Sequence, residues 1–187
     1  RGYGKLCDFG TSTFQRAGCT TICGTPEYMA PEIINGTGHC RAVDWWALGV
    51  LVYELIMAAA PFTSEDPLEV FAQVKAGLGA VPLPSSRTCA DLVRSLCRKE
   101  EQLRLPMLPG GRARFQGHEW YTRAVFDWPG LERCEMLSPY APEVSGPADM
   151  RNFAAQEQEP PQVVPYVDRG TGWDQGFEDV RGPARLS

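Results

Sequence analysis

The chain has 187 residues, is 43% hydrophobic and 22% charged, and carries a net charge of -5, a composition that allows one domain with a core of its own plus a tail. Its 18 basic residues are scattered rather than clustered, which argues against a nucleic-acid or anionic-membrane surface. Seven dispersed cysteines, an odd number with no recognisable signal peptide ahead of them, argue against a disulfide framework and for a reducing cytosol.

In chain order, Tyr3-Gly4-Lys5-Leu6-Cys7 alternates weakly and predicts a short strand that delivers Asp8 to a site. Residues 11 to 30, rich in Thr, Cys and Gly and without periodicity, read as a loop. Cys19, Cys23, His39 and Cys40 raise the question of zinc, but no Cys-x-x-Cys pair supports it. Trp45 to Phe62 is almost wholly apolar, close to the length of a membrane span. Glu54 at its centre would cost roughly 2.5–3.5 kcal/mol on insertion scales, and Gly49 and Pro61 interrupt it. The stretch is therefore read as a helix from Val43 to Met57 buried on all sides within a protein.

Asp66 ahead of Pro67, with Glu69 three residues on, has the signature of a capped helix start. Leu68, Phe71, Ala72 and Val74 are its expected apolar side and Gly77 its stop. Cys89, Leu92, Val93, Leu96 and Cys97 recur at helical spacing, a core stripe with Thr88 and Asp91 at its start. A Pro/Gly loop from Pro106 to Gly111 leads to a last short helix at His118-Glu119-Trp120-Tyr121. From Glu135 the composition shifts to Pro, Glu, Asp and Gln, an extended tail. Phe153, Tyr166, Trp173 and Phe177 are either anchor points of that tail or side chains of a free linker.

Asp8-Phe9-Gly10 alone is a weak match. It gains weight from Gly24-Thr25-Pro26-Glu27-Tyr28-Met29-Ala30-Pro31-Glu32 and Asp44-Trp45-Trp46-Ala47-Leu48-Gly49. With these motifs the chain resembles the AGC serine/threonine protein kinases. Leu96-Cys97-Arg98, Arg104-Leu105 and His118-Glu119-Trp120 look like their helical lobe, and Asn152-Phe153 like their tail. Gly172-Trp173-Asp174 with Phe177 is most similar to the cGMP-dependent branch. The fold this implies is mainly α: the helical large lobe of a protein-kinase-like fold, truncated on its N-terminal side, with an extended C-terminal tail. Residues 1–134 would be the partial kinase domain and 135–187 the tail.

The resemblance also implies roles. Asp8, with Phe9 and Gly10, would belong to the ATP and Mg²⁺ site, Asp8 being the hard oxygen ligand such an ion takes. Thr21 would be the activation-loop phosphorylation site, although relatives carry a second cation where this chain has Thr13. Ile22, Pro26 and Met29 would form the apolar pocket for the residue after the phosphorylated Ser or Thr, and Thr25 would face the substrate hydroxyl, with Glu27 beside it. Glu54 would bind an arginine of the substrate, with a structural salt bridge as the competing account. Glu32 and Arg104 would be a buried ion pair, and Asp44 a helix-start carboxylate holding the catalytic-loop backbone.

No Gly-rich phosphate loop, ATP-holding lysine or His-Arg-Asp catalytic loop precedes Asp8. The expectation is thus the C-terminal part of a cytoplasmic, cyclic-nucleotide-regulated kinase acting on basic protein substrates, whose partners are a missing N-terminal lobe and cyclic-nucleotide-binding domains. Alone it would be inactive. The alternative is a truncated, non-catalytic binding module, and a third reading, a single-span membrane protein, fits poorly with Glu54.

Overall fold

The structure, a computed structural model, describes residues 3–13, 19–138, 140–146 and 148–152. Two compact units are present, Arg1–Ala141 and Pro142–Ser187. The anchor residues proposed for the tail, from Phe153 on, lie outside the described residues. In the first unit the helices are α1 (Pro31–Asn35), α2 (Ala42–Met57), α3 (Pro67–Ala76), α4 (Arg87–Leu96), α5 (Gly111–Gln116), α6 (Glu119–Arg123) and α7 (Trp128–Glu132). Single 3-10 turns occur at Pro26–Tyr28, Leu78–Ala80, Glu101–Leu103 and Leu105–Met107.

The mainly helical expectation holds, whereas the strand expected over Tyr3 to Cys7 is absent. Among the described residues the only β pairing is an isolated antiparallel bridge between Cys19 and His39. A strand needs a partner for its backbone groups, and the Tyr3 hydroxyl is instead anchored on the Met136 carbonyl at 2.7 Å.

Two buried clusters share α4. Trp46, Val50 and Tyr53 of α2 pack with Val70 and Val74 of α3 and with Val93 and Cys97. On the other side of α4, Leu92 and Leu96 meet Phe115, fringed by Trp45, Tyr121 and Trp128. The α2–α4 approach is close because position 49 is glycine: a Cβ there would stand 2.5 Å from Cys97 Sγ and 2.9 Å from Leu96 Cβ.

Contrary to the sequence expectation, α2 is not covered all round. Leu51, Leu55 and Ile56 are 40%, 74% and 53% exposed, an apolar strip opposite the Trp46–Tyr53 face. On α3 the buried pair is Val70 and Val74, while Leu68 faces solvent. No helix among the described residues is long and apolar enough to cross a membrane.

Side chains start the helices as local chemistry requires. Asp66 Oδ1 accepts the Leu68 N–H at 2.9 Å. Glu69 does not close the box directly: its Oε2 accepts from the Ser64 hydroxyl at 2.6 Å, and Ser64 Oγ accepts the Asp66 N–H at 3.2 Å. Ser86, rather than the expected Thr88, caps α4 by accepting the Cys89 N–H. His118 Nδ1 caps α6 while Nε2 lies 3.1 Å from Asp91 Oδ2 on α4. Since Nδ1 accepts, Nε2 carries the ring hydrogen and donates to the carboxylate.

In the second unit Asp149 organises a short loop, accepting from the Ser145 N–H and hydroxyl at 2.7 and 2.8 Å and from the Arg151 N–H at 3.0 Å. These bonds hold its carboxyl down at about 2.

Candidate functional site

Asp8 stands exposed in a left-handed backbone conformation, φ 59°, which Asp tolerates better than most residues. Its Oδ1 accepts the Gly10 N–H at 3.2 Å, and the Ser12 N–H closes a turn onto the Phe9 carbonyl at 3.0 Å. Phe9 is 64% exposed. Among the described residues no three His, Cys, Asp or Glu side chains converge on a metal position. Asp8 is thus a single exposed carboxylate with one oxygen turned to its own loop.

The turn Pro26–Tyr28 is built by Pro26, whose fixed φ suits a first helical position, and closed by the Tyr28 N–H on the Thr25 carbonyl at 3.0 Å. This turn packs on α2 and α3. From it the Tyr28 phenol donates to Glu54 Oε2 in the last turn of α2. The phenol is pushed up to about 12, first by that hydrogen bond, then by burial and by the charges of Glu54 and Glu27. Glu54 is half-buried and its side chain is oriented by this bond.

The residues expected to line an apolar substrate pocket have different surroundings. Met29 is 7% exposed and belongs to the α2–α3 core, Pro26 is half-buried, and Ile22 is 59% exposed. Thr21 and Thr25 are exposed and Glu27 is half-buried. Asp44 is exposed on the first turn of α2.

A cavity of about 490 Å³ opens between these pieces, lined among others by Thr13, Cys19, Cys23, His39, Arg41 and Asp44. Its wall is fixed by the His39 N–H, which donates to the Cys19 carbonyl at 2.8 Å.

Beneath the site, Arg104 ties three segments together. Its guanidinium meets Glu32 in two parallel bonds of 2.6 and 2.8 Å, donates from Nη1 to the Ala42 carbonyl at 2.8 Å, and from Nε to the Arg98 carbonyl at 3.0 Å. It lies 5.2 Å from the Trp46 ring centre and is wholly buried. Every donor direction used is matched, the condition under which a buried charge pair is tolerated.

Sequence reasoning passed over Tyr28 and Arg41, and weighed His39 only as a zinc ligand with Cys19, Cys23 and Cys40, which line the same cavity. For Tyr28 there was a usable signal: an acid inside an otherwise apolar helix needs a nearby donor, and Tyr28 sits in the preceding turn. For Arg41 no such signal exists, since only the fold brings it to the cavity.

A family model described as the protein kinase domain matches residues 1–117. The cGMP-dependent protein kinase egl-4 of Caenorhabditis elegans is 39% identical over 181 residues, covering 94% of this chain and 23% of that protein. For the cGMP-dependent protein kinase, isozyme 2 forms cD5/T2, of Drosophila melanogaster the figures are 38% over 181 residues, 95% and 19%. Human cGMP-dependent protein kinase 2 is 37% identical over 180 residues, covering 94% and 23%. The chain thus spans a quarter or less of the length of these relatives.

Proposed function

This chain belongs to the protein kinase family, and from that premise we propose that it forms the helical, substrate-facing part of a cyclic-nucleotide-regulated serine/threonine kinase that transfers the ATP γ-phosphate to basic protein substrates. The relatives named above are cGMP-dependent kinases, which supports the regulatory part of this reading. The observation that carries the substrate part is Glu54, a half-buried carboxylate held toward the Pro26–Tyr28 turn by the Tyr28 phenol. A carboxylate fixed in this way offers a substrate guanidinium a preset acceptor, so less ordering is needed on binding.

In this reading Asp8 would hold Mg²⁺ with ATP, beside Phe9 and Gly10; when bound, the ion neutralises the triphosphate. Thr25 faces the substrate hydroxyl, with Glu27 alongside. Ile22, Pro26 and Met29 receive the residue that follows it, which for Met29 requires access from the core side of the turn. Thr21 is the activation-loop phosphosite, and Asp44 steadies the catalytic-loop backbone.

The 187 residues include no His-Arg-Asp motif, and in this reading they would transfer no phosphate by themselves. The apolar strip of Leu51, Leu55 and Ile56 supports this, because an uncovered strip on a central helix calls for a partner. Seven free cysteines support a cytoplasmic location.

The test is Glu54→Gln in the complete enzyme, assayed on paired peptides with and without arginine. We expect the preference in kcat/KM for the arginine peptide to fall at least about tenfold, the size of a lost charge-assisted contact. Unchanged discrimination refutes the assignment of Glu54.

A further inference from the structure

The chain has two asparagines, Asn35 and Asn152, and their settings differ. Asn152 precedes Phe153, and its Nδ2 donates to the Glu143 carbonyl at 3.0 Å. Asn35 precedes Gly36, is exposed as the last residue of α1, and its side-chain amide makes no hydrogen bond among the described residues. Gly36 stands in the left-handed conformation, φ 63°, and a Cβ built on it would meet nothing within 4 Å. Its N–H is held by the Ile33 carbonyl at 3.1 Å. A five-residue helix holds its last turn weakly, so the Gly36 nitrogen is freed at little cost.

Asn35 also lines a cleft of about 490 Å³ with Lys75, Lys99, Glu32, Glu100 and Glu101. Lys99 Cδ lies 3.3 Å from where a Cβ on Gly77 would stand, which brings this side chain to the end of α3, beside the last turn that carries Lys75. Neither lysine has an ion pair among the described residues. Two of the three acids are engaged: Glu32 holds Arg104, and Glu101 accepts from the Cys40 thiol and the Gln102 amide. Glu100 is left to compete for the lysines.

We propose that Asn35 is a self-modifying position, at which the chain acquires a carboxylate in the cleft of Lys75 and Lys99. The Gly36 nitrogen gives its hydrogen to a solvent base and bonds to Asn35 Cγ. The Cγ–Nδ2 bond breaks, and the side-chain nitrogen leaves as ammonia with a proton from water. Water then opens the five-membered imide at either carbonyl, giving aspartate or isoaspartate. Glycine favours the closure because no side chain shields its nitrogen and its backbone reaches conformations closed to other residues. The product adds one negative charge where two unpaired ammonium groups favour it.

The test holds the 187-residue chain at neutral and at mildly alkaline pH and follows both asparagines by peptide mass mapping, with an isoaspartyl methyltransferase reading the rearranged product. Asn35 is expected to convert at least about tenfold faster than Asn152, and faster in alkali, while Cys97 and Cys89 stay closed to maleimide and report a folded molecule. Asn35→Gln removes the change from that peptide. Conversion no faster than at Asn152, or only after urea has opened both thiols, overturns the proposal. A second arm makes the acid directly: Asn35→Asp is expected to lower the urea midpoint more in a Lys75→Gln, Lys99→Gln chain than in the parent. Equal shifts in the two backgrounds overturn the proposal as well, because the lysines then do not meet the new charge.

Discussion

The Tyr28 phenol donates its hydrogen to the Glu54 carboxylate, joining the turn after Thr25 to the last turn of α2. The same contact has a pH signature. Tyr28 titrates near 12 in the folded chain against 10.0 for a free phenol. A raised folded value means that this stabilisation is complete below pH 10 and is lost as pH rises through about 12. Tyr121, raised to about 12 by burial, behaves likewise. In spectrophotometric titration, Tyr28→Phe should remove one of these two late phenols and leave the other. If both late phenols persist in the variant, the contact is not formed in solution.

Removing one side of the Glu32–Arg104 pair should be costly. Arg104→Met leaves a buried carboxylate and strands the Ala42 and Arg98 carbonyls, for an expected loss of about 3–5 kcal/mol in urea unfolding. Replacing both residues by methionine should cost less than the sum of the single changes, since no unpaired charge remains.

Gly49→Ala tests the α2–α4 seam. Alanine gains roughly 0.8–1.0 kcal/mol in helix propensity over glycine, yet its methyl would fall 2.5 Å from Cys97 Sγ. Net destabilisation of about 1–3 kcal/mol is expected. Cys97→Ala added to it should recover part of that loss by removing the clashing sulfur. A Gly49→Ala chain that unfolds later than the parent would show that the seam has slack.

The Asp149 loop should withstand acid. Its carboxyl titrates at about 2 against 3.8 when free, a depressed value, so its contribution is present above pH 3.8 and lost as pH falls through about 2. The Ser145 amide shift in NMR should therefore hold its native position to below pH 3. Movement of that shift centred near 4 would disprove the loop.

Local features were the legible ones. Asp66 before Pro67 announces a helix start because cap and capped amide lie within two residues of each other. The Glu32–Arg104 contact spans 72 positions, and only the family resemblance pointed to it. Ser86 was missed because it, Thr88 and Asp91 are all cap formers; which one acts depends on where the chain arrives from the preceding loop. The strand over Tyr3 to Cys7 failed because alternation proposes an edge and a neighbour must accept it. The α5 and α7 helices were missed because at six and five residues they are too short for periodicity to show. At the site, the loop residues were legible as a motif, while His39 and Arg41 reach the cavity only through the turn between α1 and α2.

Cys97 has a further use. Burial pushes its thiol up to about 12, so at neutral pH it is a protonated sulfur closed inside the seam where Gly49 admits it, while Cys7, Cys23 and Cys134 are exposed. Thiolate is the species that alkylating reagents attack. A maleimide should consume the exposed cysteines quickly and wait for Cys97 and for Cys89, which is buried in α4 as well, until α4 parts from its neighbours, which makes these two sulfurs clocks for the opening of the molecule's centre.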